Sequence, residues 1–89
     1  MNSYLTEDFL VSYRQLPTQI RDQARKAYRL WKQNPHHPSL RFKRVHTTES
    51  LYAVRVGRGW RVLGLREGEV IYWFWIGSHS SYEALLRGL

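Results

Sequence analysis

The chain has 89 residues, with fourteen Lys+Arg against seven Asp+Glu, giving a formal charge of +7 and a pI near 10.3. That length makes one domain, spanning residues 1–89, with a single modest core. An aromatic share of 15% excludes a disordered chain, and the absence of cysteine excludes disulfides and thiolate metal sites. The charge calls for an anionic partner: nucleic acid, an acidic protein or a membrane surface. The opening MNSYLTEDF has neither the basic start nor the apolar run of a signal peptide. The longest apolar run, Val70–Ile76, is far too short to cross a bilayer, so a soluble cytoplasmic protein is expected.

Tyr4–Leu5 is read as a short edge strand. Thr6 has the chemistry of an N-cap, and Glu7 and Asp8 suit the positive end of a helix. Phe9, Tyr13 and Leu16 then form one apolar face of a first helix. Pro17 breaks it and starts the next, predicted over Thr18–Gln33. Ile20, Ala24, Ala27, Tyr28 and Trp31 are that helix's core stripe, and Arg21, Arg25, Arg29 and Lys32 its solvated face. Asn34-Pro35-His36-His37-Pro38 ends helical structure.

From Leu40 the pattern turns strand-like. Strands are predicted at Arg41–His46, Leu51–Val56, Trp60–Arg66 and Glu69–Ile76, with a short final helix over Tyr82–Arg87 capped by Ser80 or Ser81. Gly57-Arg58-Gly59 fits a three-residue hairpin loop with Gly59 in the left-handed position, and Glu67-Gly68 a two-residue turn. The fold class is α+β: an N-terminal antiparallel helix pair on a curved, mainly antiparallel sheet of four to five strands.

These loops set registers. The first pairs Val56 with Trp60 and therefore Arg55 with Arg61. The second pairs Arg66 with Glu69 and therefore Arg61 with Phe74. One face then carries Arg55, Arg61, Leu63, Leu65, Tyr72 and Phe74. The other carries Val54, Val56, Trp60, Val62, Trp73 and Trp75, has no charge, and should receive the helices.

Directly opposed arginines repel each other. They either splay to solvent, pair with carboxylates, or clamp a phosphate, whose oxygens match guanidinium geometry. Tyr72 or Phe74 would give a base a surface to stack on. His79, just past the last strand, and Tyr82 supply groups that move protons, although each is also an ordinary packing or surface residue. Lys43 is a further candidate phosphate contact, its face left open by the preceding loop. His36 and His37 lack metal-ligand spacing, no phosphate-binding glycine loop is present, and no cofactor is expected.

The run Asn34–Lys43, the segment YAVRVGRGWRVLGL and the ending WIGSHSSYEALL resemble the small RelE/HigB-type toxins of toxin–antitoxin pairs, over nearly the whole chain. The resemblance implies a RelE-like fold and a ribosome-dependent messenger-RNA endoribonuclease that uses no metal. Such toxins promote attack of the ribose 2′-hydroxyl on the adjacent phosphate, leaving a 2′,3′-cyclic phosphate and a 5′-hydroxyl. It also implies a cognate antitoxin protein, often acidic where it wraps the toxin. Arg55 and Arg61 match basic positions of the family. His79 falls where members place a basic residue or His after the last strand's Gly, and Tyr82 where many have Tyr. Ala53 departs from the pattern, standing where some members carry a second lysine. Two other readings remain: a ParE-type inhibitor of DNA gyrase on the same scaffold, or a basic binding module without catalysis.

Overall fold

The computed structural model describes all 89 residues, Met1–Leu89. Strand β1 (Asn2–Leu5) leads into helix α1 (Glu7–Arg14), and α2 (Thr18–Gln33) follows after three residues. A 3-10 turn (Pro38–Leu40) precedes β2 (Lys43–Arg44), β3 (Leu51–Val56), β4 (Trp60–Glu67), β5 (Val70–Ser78) and the closing helix α3 (His79–Arg87). No helix is long and apolar enough to cross a membrane.

The caps explain most of these boundaries. The Thr6 hydroxyl accepts from the Phe9 amide at 3.2 Å and starts α1, as its position before Glu7 and Asp8 predicts. Asn34 leaves α2 in an extended conformation ahead of Pro35. The strand expected over Arg41–His46 contracts to Lys43–Arg44. Arg41 adopts a left-handed conformation at the end of the 3-10 turn, which interrupts pairing. At the other end His46 Nδ1 accepts from the Thr48 and Glu49 amides, and the chain turns there.

The sheet has five strands in the order β1-β5-β4-β3-β2, antiparallel except for β1, which runs parallel to β5. Parallel pairing is possible because α1 and α2 intervene between the two strands in sequence. The β3–β4 register is the one expected, with Val56 opposite Trp60 and Arg55 opposite Arg61. Within its loop, however, Gly57 rather than Gly59 takes the positive φ, at +58°.

The β4–β5 register differs from expectation. Gly68, not Glu67, is the first residue of the turn, so Glu67 pairs with Val70 and Arg66 with Ile71. Gly68 has φ +61°. A tight hairpin turn with a positive φ at its first position favours glycine there and penalises a residue with a side chain. Further along, a bulge opposite Leu63 and Gly64 leaves Phe74 unpaired, and Leu63 faces Trp75. The two shifts bring Gly77, and not Phe74, opposite Arg61. They also move Trp75 off the face it is expected to share with Trp73.

One face of the sheet packs on the helices. Trp31, Val54, Val56, Val62, Ile71, Trp73 and Ile76 form its buried centre with Phe9 and Ala24. Gly64 belongs here: a Cβ on it would lie 2.5 Å from the Trp73 ring, so the indole rests directly on this strand. Helix α1 lies against β5 and α2 against β3, leaving an apolar cavity of about 270 Å³ between them. The opposite face holds a smaller cluster of Leu51, Ala53, Leu63 and Tyr82, with Val45, Phe74, Trp75 and Leu86 at its margin. Helix α3 therefore covers part of the face that carries the arginines.

Candidate functional site

Arg55 and Arg61 stand side by side on adjacent strands. Neither has a carboxylate within ion-pair distance. Instead each is steadied by backbone carbonyls: Arg55 Nε donates to Gly57 O at 3.0 Å, and Arg61 donates through one terminal nitrogen to Trp60 O at 2.8 Å and Arg58 O at 3.4 Å. A guanidinium carries five N–H donors, so both keep donors for an external anion. Partial burial and the positive charge of Arg55 lower the Arg61 pKa from its ordinary value, with Arg41 acting in the same direction and Tyr82 and Glu83 opposing. The group stays cationic, in a positive field that no protein carboxylate closes.

Helix α3 brings the proton-transfer candidates to this edge. It starts at His79, earlier than predicted, because the Ser78 hydroxyl caps it by accepting from the Ser81 amide. The His79 amide donates to Gly59 O at 2.8 Å, which fastens the helix start to the β3–β4 loop. One turn on, Glu83 Oε1 lies 2.7 Å from His79 Nε2. Nδ1 of the same ring is buried and has no partner. The pairing of His79 with Glu83 has a signal in the sequence, the i,i+4 spacing on a helix, but Glu83 is not among the expected site residues.

Tyr82 is buried at 7% exposure beneath this edge, its ring 6.0 Å from that of His79. Burial raises its pKa above the usual 10.0; Arg61 pulls the other way and Glu83 adds to the rise. Tyr82 is therefore a neutral phenol throughout the physiological range, able to donate a hydrogen bond and unsuited to accept a proton as a base. The shift carries a stability prediction. The folded state holds the phenolic proton more tightly than the unfolded state, so stability is full below pH ~10 and falls as pH rises through the folded pKa. Tyr82→Phe should flatten that alkaline decline in denaturant titrations at stepped pH. An unchanged slope would show that the phenol ionises as freely in the folded chain as in the unfolded one.

The aromatic residues are placed differently from expectation. Tyr72 pairs with Leu65 and stacks on Tyr4 at 5.6 Å, near the β1 edge and away from the arginines. Phe74 sits at the bulge against the smaller cluster. The ring that does lie beside Arg61 is Trp75. A Cβ on Gly77 would come within 2.5 Å of its outer carbons, so the indole lies over Gly77, the residue opposite Arg61. Lys43 pairs with Ala53, whose side chain belongs to the arginine face, so the lysine shares that face and is exposed. A cation thus stands directly across from Ala53.

The ParE-like toxin domain model matches residues 18–84, most of the chain. The chain belongs to that family. Membership makes it a toxin of the toxin–antitoxin class. Its fold is shared with solved toxins. The RelE chain of the RelB–RelE antitoxin–toxin complex from Methanococcus jannaschii superposes with a TM-score of 0.71 at 16% identity, covering 91% of this chain and 95% of that one. Isolated RelE from E. coli gives 0.65 at 19% identity, covering 99% and 98%. YafQ from E. coli strain BL21(DE3) gives 0.64 at 8% identity, covering 91% and 96%. Among curated proteins, nothing matches the chain by sequence. The structural likenesses establish the RelE-like α+β fold.

Proposed function

We propose that this toxin is an endoribonuclease that cuts messenger RNA on the ribosome, and that a cognate antitoxin protein neutralises it. The observation that carries the reading is the directly opposed Arg55 and Arg61, without carboxylate partners, beside a helix that presents His79, Tyr82 and Glu83. Such an arrangement suits a phosphodiester whose charge grows in the transition state. The antitoxin is supported by the family and by the RelB-bound state of similar toxins, and the basic surface suits an acidic wrapping segment.

In this mechanism a phosphodiester enters between Arg55 and Arg61 and competes with Glu83 for His79 Nε2. The 2′-hydroxyl oxygen attacks the adjacent phosphorus, and its proton passes to the freed Glu83 carboxylate. The P–O5′ bond breaks while protonated His79 gives its proton to O5′, leaving a 2′,3′-cyclic phosphate and a 5′-hydroxyl. Return of the proton from Glu83 to His79 restores the pair. Arg61, helped by Arg55, stabilises the extra charge on the pentavalent phosphorane. Tyr82 positions the ring of His79 or donates to a phosphate oxygen. Trp75 stacks on a base, and Lys43 contacts the neighbouring backbone.

Primer extension on cellular messages after brief induction tests this reading. Discrete cuts inside translated frames are expected with the wild-type chain and none with His79→Ala/Arg61→Ala at equal protein level. The family match to ParE-like toxins supports one rival, inhibition of DNA gyrase. Intact messages with growth arrest and a DNA-damage response would establish that rival and reject the nuclease.

A further inference from the structure

A second cationic feature lies outside the arrangement just described. Helix α2, the 3-10 turn and the β3–β4 hairpin enclose a cleft of about 420 Å³. Lys26 projects into it from α2, and Arg55 and Arg58 from the hairpin. Gln23 and Ser39 add neutral hydrogen-bonding groups, and no acidic residue lines it. Only three of its nine lining residues are hydrophobic.

The cleft is held open by packing. Leu40, 2% exposed, anchors the 3-10 turn to the main core. Gln23 braces the hairpin: its Oε1 would lie 2.6 Å from a Cβ at Gly57, so the side chain fits only against glycine. The Arg55 guanidinium is tied by its Nε to Gly57 O, on the same hairpin. Three cations gathered on a braced frame with no counter-charge repel one another, and the arrangement is relieved when an anion enters.

Arg55 belongs to both places. Its backbone sits opposite Arg61 on the sheet, and its side chain lines the cleft. We infer that the cleft binds a phosphate of the single-stranded RNA backbone next to the one held by Arg61, with Arg55 shared between the two, so that the strand is gripped at consecutive positions. This inference rests on the ribonuclease reading for the identity of the strand. The shared arginine favours a polyanionic chain that runs on from the first site over an acidic peptide that would fill the cleft alone.

The test measures binding of a short single-stranded oligoribonucleotide, protected from cleavage by 2′-O-methyl groups, as a function of salt. Each phosphate neutralised contributes about 0.7 to the slope of log affinity against log salt. Lys26→Gln/Arg58→Gln, which takes two cations from the one phosphate in the cleft, should therefore lower the slope by about 0.7 and weaken binding roughly fivefold near 0.1 M salt. The charge-retaining Lys26→Arg/Arg58→Lys should keep both, with far-ultraviolet dichroism confirming that each variant is folded. A parental slope in the Gln variant overturns the inference, as does an equal loss in the charge-retaining variant. Unchanged RNA binding with weakened binding of the antitoxin would reassign the cleft to an acidic peptide. A parent chain that binds the oligonucleotide with the expected slope but never cuts messages would reject the nuclease and leave the cleft standing.

Discussion

Arg61→Ala should lower message cleavage by a factor on the order of 10² to 10³, the usual cost of removing one donor aimed at developing oxyanion charge. The fold should survive, with its stability unchanged or raised. Arg61 is partly buried next to Arg55, its pKa is lowered by that burial and that neighbour, and its hydrogen bonds go only to backbone carbonyls. A base with a lowered folded-state pKa is penalised in its charged form on folding. Across the physiological range, therefore, the cation works against the folded state, and removing it relieves repulsion from Arg55. Loss of cleavage together with an unchanged or higher Tm is the expected signature of a residue kept for chemistry. Arg61→Lys should fall between the two, retaining charge and losing the planar fork. Parental cleavage by folded Arg61→Ala would remove this residue from the site.

Trp31→Ala should have the largest effect on stability, about 3–5 kcal/mol. Trp31 is 1% exposed and meets Trp73 edge-to-face at 5.3 Å and Phe42 at 5.7 Å. A chain of this size has a total stability on the order of 4–13 kcal/mol, so the variant should be partly unfolded or close to it at 37 °C. Trp31→Phe should cost less than Trp31→Ala, about 1–3 kcal/mol, because the cavity it leaves is smaller. It keeps an aromatic ring and removes an indole N–H that is buried without a partner. Urea titration reads both variants. A midpoint for Trp31→Ala within experimental error of the parent would mean that the core does not centre on this ring.

Much of the architecture is legible in local residue chemistry. The Thr6 cap, the Pro17 break, the α2 stripe and the helix-ending Asn34-Pro35 are each set by residues close together along the chain. The Arg55–Arg61 pairing is legible for the same reason, since a three-residue loop leaves one register open between its flanking strands. The β4–β5 register is not. It depends on whether Gly68 takes the first or the second turn position and on a bulge at Phe74. Each moves the pairing by one or more residues, and together they replace Phe74 with Gly77 beside Arg61.

The expectations built on that register shift with it. Tyr72 and Phe74 are expected beside the arginines; Trp75 takes that side instead, seated over Gly77 opposite Arg61. A glycine two residues after a tryptophan on one strand face is the available signal, since it provides room for a large ring. Helix α3 begins three residues before its predicted start because Ser78, Ser80 and Ser81 offer rival caps; Ser78 prevails, and His79 becomes the first helical residue.

The sequence by itself determined the element order, the pairing of Arg55 with Arg61 and the toxin family, because these follow from short-range caps and turns and from motifs that run along the chain. The tertiary structure alone decided which aromatic ring flanks Arg61, that Lys43 stands across from Ala53, and that Lys26 joins Arg55 and Arg58 around one cleft. Those juxtapositions join residues separated by ten or more positions. They are set by how a bulged, twisted sheet packs on its helices, a balance of many small interactions that no short stretch of sequence contains.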